Sequence, residues 1–227
     1  MRGRGFAVIV LIGVALAGSG CGAHRVAPVD PRASGPLTPA IEDGDGGLVG
    51  VAPDFTPKAY TAVVLEPFTV DRREIKDDDD ARLAKDMSAY LHAQLLKRLQ
   101  AASIFTAVID GATTPGLAPQ DKRLRLQGDI TRLTEGNQAM RYFVGFGAGA
   151  AKTQIETRLV DDSSRQIKLV TADRRAAAMG IFGGDGRQFV TESMDQMAEG
   201  LVKLLARLAA GDKPGPVSSA GGPSPRR

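Results

Sequence analysis

Two stretches of this chain repeat apolar residues at helical spacing, and each does so on one side only. Leu83, Met87, Leu91, Leu95 and Leu99 recur every four residues. An α-helix turns once per about 3.6 residues, so that row drifts around the axis, and Tyr90 and Leu96 widen it. Val190, Met194, Met197, Leu201, Leu204 and Leu208 alternate steps of four and three and form a single stripe. A helix apolar along one stripe packs on one layer and leaves its far side to solvent, so neither helix is enclosed by a second sheet.

The segments between and before the helices read as strands. Ala59 to Val70 is β-branched and aromatic; Val63, Val64 and Leu65 run consecutively, as in a strand buried on both faces, and Pro67 marks its end. Asp77 to Asp80 opens the first helix, since carboxylates cap a helix start and complement its dipole, and it runs to Ala102. Ile104 to Ile109 is a short strand, and Gly111 to Gln120 is a loop punctuated by Pro115, Gly116 and Pro119. Arg123 to Thr134 is a strand with Leu124, Leu126 and Ile130 on one face. Leu133 is out of phase there, which calls for a bulge near Arg132 or a kink at Gly128, and Arg123, Arg125 and Arg132 are expected to face solvent. Thr153 to Asp161 and Gln166 to Arg174 make an antiparallel hairpin around Asp162-Ser163-Ser164. The last helix runs from Arg187 to Ala210, where Gly211 stops it. The expected fold is α/β, a two-layer sandwich with a mixed sheet of about five strands and two helices packed on one face.

The amino end has a different character. Arg2 and Arg4 precede an unbroken apolar run from Phe6 to Ala17, closed by Gly18-Ser19-Gly20-Cys21. That is the layout of a secretory signal, and the run is too short to span a bilayer comfortably as a mature helix. Cys21 is the chain's single cysteine. The patch resembles a bacterial lipoprotein signal, in which such a cysteine is lipidated and becomes the first mature residue, although Gly18 stands where those signals most often carry Leu. An ordinary signal peptide or an uncleaved anchor are the other readings. Gly22 follows, not the Asp that tends to retain lipoproteins in the inner membrane, so the resemblance implies the outer membrane of a Gram-negative cell, with the domain on its periplasmic face. The domain organisation is then a signal over 1–20, a disordered Pro/Gly-rich tether over 21–57, an α/β domain over 58–211 and a disordered tail over 212–227. Arg2 and Arg4 leave with the signal and take Lys+Arg from 29 to 27 against 26 acidic residues, a balance without an electrostatic footprint for nucleic acid.

Candidate chemistry is sparse. Tyr142, Phe143, Gly145, Phe146, Gly147 and Gly149 lie in an apolar, glycine-rich stretch that reads as a sharp loop or bulge or, if exposed, as a contact surface. As a dinucleotide motif it fails, because a strand follows it and the third glycine is one position early. Gly183, Gly184 and Gly186 precede the last helix, where free N–H groups can hold an anion, without the Lys and Ser/Thr of a P-loop. Asp43 and Asp45 are spaced like the start of a calcium loop whose later ligands are missing, and the solvated linker is the preferred reading. His24 and His92 are the two histidines, too few for a typical zinc site, and neither neighbours a nucleophile in sequence. No cofactor, metal or catalytic set is expected.

The run Arg141-Tyr142-Phe143-Val144-Gly145-Phe146-Gly147-Ala148-Gly149, then Asp161 and Asp162 at the hairpin, then Gly183-Gly184, follow the lipoprotein-like start in an order that resembles the DUF4410-like family of small bacterial envelope lipoproteins with a domain of unknown function. The resemblance implies an α/β domain and export and supplies no catalytic residues. The expected role is a non-enzymatic, lipid-anchored, periplasm-facing interaction or assembly module, whose partners are the membrane and an envelope protein or a second copy. The alternative is a small-ligand or anion-binding domain, enzymatic or not, using the glycine loops. A pore hairpin over 154–174 ranks last, since its strands are barely long enough to span.

Overall fold

The structure, a computed structural model, describes residues 23–32, 37–136, 150–177 and 185–216. The two apolar stripes form α1 (Asp78–Ala102) and α2 (Gly186–Ala210). Asp77 caps α1 through a hydrogen bond to the Asp80 N–H, and α2 ends at Gly211, whose φ of 99° is left-handed. Leu91 and Leu95 of α1 and Met197 and Leu201 of α2 meet over the same sheet residues, Ile155, Thr157 and Thr171, so the helices lie side by side on one face.

The sheet is larger than the sequence suggests, with nine strands in place of about five. These are β1 (Ala23–Arg25), β2 (Ile41–Asp43), β3 (Gly47–Val51), β4 (Ala62–Leu65), β5 (Thr69–Val70), β6 (Ala107–Asp110), β7 (Arg123–Thr134), β8 (Lys152–Asp161) and β9 (Ile167–Ala177). The main path runs β2-β3-β9-β8-β7-β4-β6, with β1 on β9 and β5 on β7. Pairings of β4 with β6 and β7, and of β5 with β7, are parallel; the rest are antiparallel. Val63, Val64 and Leu65 are fully buried, as their unbroken apolar run requires, and the chain breaks from the ladder at Glu66-Pro67-Phe68 before β5.

The extra strands correct the tether. Within 21–57, β2 and β3 form a hairpin that adds to β9, and β1 pairs with the far end of the same strand. Between β1 and β2 the chain crosses the face away from the helices, where the Val29 N–H donates to the Gln154 side chain and the Val29 carbonyl accepts from it, and the Arg32 N–H donates to Glu156. We call residues 26–32 the strap. The tail is corrected in part as well: Gly215 exchanges hydrogen bonds with the β2–β3 turn, donating to Asp43 and accepting from the Gly44 N–H.

In β7 the register shifts between Ile130 and Arg132, which returns Leu133 to the core face as the sequence phase demands. Gly128 makes no kink. It leaves room for Phe68, on whose ring a Cβ at that position would land.

Candidate functional site

Most sequence-stretch candidates fall outside the described residues: Cys21, the loop of Tyr142, Phe143, Gly145, Phe146, Gly147 and Gly149, and Gly183 with Gly184. Gly186 is described and opens α2 in contact with the backbone of Glu135, where a Cβ would collide with the Glu135 carbonyl. The Asp185 carboxylate already accepts the Arg187 and Gln188 N–H groups, so the helix start is capped by its own chain.

The roots of both glycine loops nevertheless lie together. Thr134 pairs with Lys152, Glu135 touches Gly186, and the Ala177 N–H donates to the Ala151 carbonyl. Ala23, two residues after Cys21, pairs with Ala177. One end of the sheet therefore gathers Ala23 and the residues that flank the 137–149 and 178–184 segments.

Away from that end lie two charge networks that the sequence does not reveal, the first on the outer face and the second on the side of the helices. Arg123 and Arg125, expected to face solvent, are covered: Arg123 is 4% exposed, and both donate to Asp162, which is fully buried. Arg125 also donates to Glu66 and to the Leu117 carbonyl, and Arg123 to the Ala118 carbonyl, so the 111–122 loop folds back over the pair. Burial alone would raise the Asp162 carboxyl, but the two guanidinium groups outweigh it and hold it below the usual carboxylate range. The available signal was the hairpin register: with Leu124 opposite Asp161, Asp162 lies beside the start of β7 and its two arginines.

A second network ties β1 to the β2–β3 turn. Arg25 binds Asp173 through two hydrogen bonds of 2.9 Å and donates to the carbonyls of Asp43, Gly44 and Asp45. Asp43 accepts from Arg207 at 2.6 and 2.7 Å, and Asp45 from Arg207 at 2.9 Å. The two carboxylates spaced like a calcium loop thus hold a guanidinium. Burial pushes the Asp43 carboxyl up, while the N–H groups of Gly215, Gly46 and Asp45 and the Arg207 guanidinium together bring it below its ordinary value. Beside this turn lies a cleft of about 430 Å³ walled by Arg25–Pro28, Glu42, Leu48 and Pro216. On the far edge of the sheet, His92 Nε2 is 2.9 Å from Asp110 Oδ1 and joins α1 to β6.

Among the described residues no group of three or more His, Cys, Asp or Glu side chains is arranged to hold a metal ion, and no helix is long and apolar enough to cross a membrane. What the polar groups do is bind one another, fastening strap, turns and loop to the sheet.

The fold and its charge networks define a mixed α/β domain with two helices on a large mixed sheet. The model of a family described as a domain of unknown function (DUF4410) matches residues 63–180, and the chain belongs to that family. A search of curated proteins finds no match. Among solved structures, the chain is similar to protein XCC0632 from Xanthomonas campestris, with 11% identity and a TM-score of 0.44 over 71% of this chain and 92% of that one. It is similar also to a PelC dodecamer from Paraburkholderia phytofirmans, with 13% identity and a TM-score of 0.40 over 67% of this chain and 94% of that one.

Proposed function

We propose that this protein is a non-enzymatic envelope module, anchored by a lipid on Cys21 in the outer membrane and facing the periplasm, where it binds an envelope protein or a second copy of itself. The observation that carries this reading is the pairing of Ala23 with Ala177. With Ala23 beside Ala177, a lipid on Cys21 would sit at the end of the sheet where the residues flanking 137–149 and 178–184 meet, and this supports a membrane-side contact there. Only Gly22 separates Cys21 from β1. At about 3.5 Å per residue, the domain then rests within about 10 Å of its lipid and does not stand off on a tether.

Mass spectrometry of the mature amino terminus, from membranes separated by density and beside a Cys21→Ala control, tests the anchor. A triacylated Cys21 in the outer-membrane fraction is expected; an unmodified terminus beyond Cys21 in the soluble fraction defeats the reading. Crosslinking in intact cells tests the module, which fails if nothing above background is recovered.

A further inference from the structure

On the outer face of the sheet, next to the end just described, three cations stand close together with a single carboxylate, Glu74, beside one of them. The ladder pairs Arg132 of β7 with Gln154 of β8, and Gln154 with Arg174 of β9. Lys152 precedes Gln154 by two residues and so shares its face, and on the rung of Lys152 the ladder runs through Ala176 to His24 of β1. With strands about 4.8 Å apart and about 6.7 Å between alternate residues, the Cα atoms of Arg132, Lys152 and Arg174 fit within a circle about 10 Å across.

Their counter-charges are few. Arg132 lies 3.6 Å from Glu74, which also accepts the Leu133 N–H. Arg174 donates to the Ala27 carbonyl of the strap, and its buried Nε has no partner. Glu156, one rung further along, is taken up by the Arg32 N–H, the Thr131 hydroxyl and the Gln154 amide. Neither Lys152 nor Arg174 pairs with a carboxylate among the described residues, and every acidic residue of the chain is among them, since 1–22, 33–36, 137–149, 178–184 and 217–227 contain no Asp or Glu. Burial, and then the like charge of Arg132, lower the Arg174 pKa. Elsewhere on this face the buried arginines have carboxylates: Arg123 and Arg125 share Asp162. Beside the patch the strap exposes Val29, 36% accessible.

We propose that Arg132, Lys152 and Arg174 form a site for a phosphate-bearing anion, and that its occupant is the headgroup of a phospholipid in the membrane that holds Cys21. The site stands on the ladder and the missing counter-charges. The choice of lipid over free phosphate rests on the anchor reading, because β1 brings Cys21 to this end of the sheet. A membrane surface offers phosphates in a plane beside apolar chains, and cations flanked by an exposed valine suit that boundary.

The test is co-sedimentation of the full chain carrying Cys21→Ala, which removes any acyl group, with vesicles of phosphatidylcholine alone or mixed with phosphatidylglycerol. The signal, with its apolar run and Arg2 and Arg4, is common to parent and variants, so the loss on anionic vesicles in the patch variants isolates the site. The parent is expected to bind the anionic vesicles preferentially. Arg132→Gln, Lys152→Gln and Arg174→Gln together should remove about a hundredfold in affinity, at about fivefold per cation near a charged surface. Lys152→Gln alone replaces a residue without a paired carboxylate and keeps the test available if the triple variant does not fold. Lys85→Gln with Lys97→Gln, on exposed positions of α1, is the charge control. Equal losses in patch and control variants, or no loss, overturn the site. Release from the vesicles by millimolar inorganic phosphate, with a matching thermal shift, overturns the lipid and leaves a free-phosphate site. Patch-dependent binding together with an unmodified Cys21 in cells defeats the anchor and spares the site.

Discussion

Asp162 shows how much one buried charge organises. It has no exposed surface, and two arginines that would otherwise point to water turn inward to meet it. Asp162→Ala leaves Arg123 and Arg125 buried without their carboxylate, so we expect a loss of about 3–5 kcal/mol, measured by denaturant unfolding. Replacing all three by apolar residues of similar volume should recover much of that loss. Its neighbour Asp161 works at the surface of the turn. Burial raises its pKa, but the Ser164 N–H, the Tyr60 hydroxyl and the Ser163 hydroxyl hold it at about 2, against 3.8 for a free side chain. The folded state therefore takes up this proton less readily than the unfolded chain. The stabilisation is fully present above about pH 4 and disappears as pH falls towards about 2, a slope that Asp161→Asn should flatten in a pH series of melts. At Gly128 the demand is steric: Gly128→Ala sets a methyl on the Phe68 ring, and a cost of about 1–3 kcal/mol is expected from overpacking, read as a lowered melting temperature.

At the scale of elements, what the sequence shows depends on length. α1, α2, β7 and the β8–β9 hairpin are long and periodic, and their starts and ends follow from Asp77, Gly211 and the Asp161 turn. The out-of-phase Leu133 calls for an irregularity in β7, and the register shift between Ile130 and Arg132 decides for the bulge over a kink at Gly128. β1, β2 and β3 are three to five residues long and lie among prolines and glycines; β1 and β3 owe their place to a partner more than a hundred residues away, and β2 hangs on β3. No local pattern marks such strands, because β9 supplies the ladder and Arg25 the fastening. The charged site was illegible for a related reason: an arginine on a strand looks solvent-facing until the loop that covers it is placed. Arg25→Ala should free β1 and the strap without unfolding the core. Hydrogen exchange at the Val26 amide, bonded to the Arg174 carbonyl, is expected to speed up by about tenfold or more while Leu126 and Leu159 in the central strands keep their protection.

For the whole molecule, the proposed anchor gives an orientation that can be measured. The turn at Ser163 and the start of α2 at Asp185 lie at opposite ends of β8, a strand of ten residues, or about 33 Å. A fluorophore at Asp185 should transfer energy to acceptors in the lipid headgroups more efficiently than one at Ser163; equal transfer, or the reverse order, contradicts the short leash. The pairing of β1 with β9 also sets a timetable. Arg25 and its partner Asp173 are separated by 148 positions. A chain threaded through an export channel amino end first presents β1 early and β9 late, so the β1–β9 pair closes only after most of the domain has emerged. Until then β1 has no ladder partner, and under the proposed anchoring a processing enzyme would reach the neighbouring Cys21 without having to open it. Once the ladder closes, that window shuts, so the proposed maturation at Cys21 would have to precede the last step of folding.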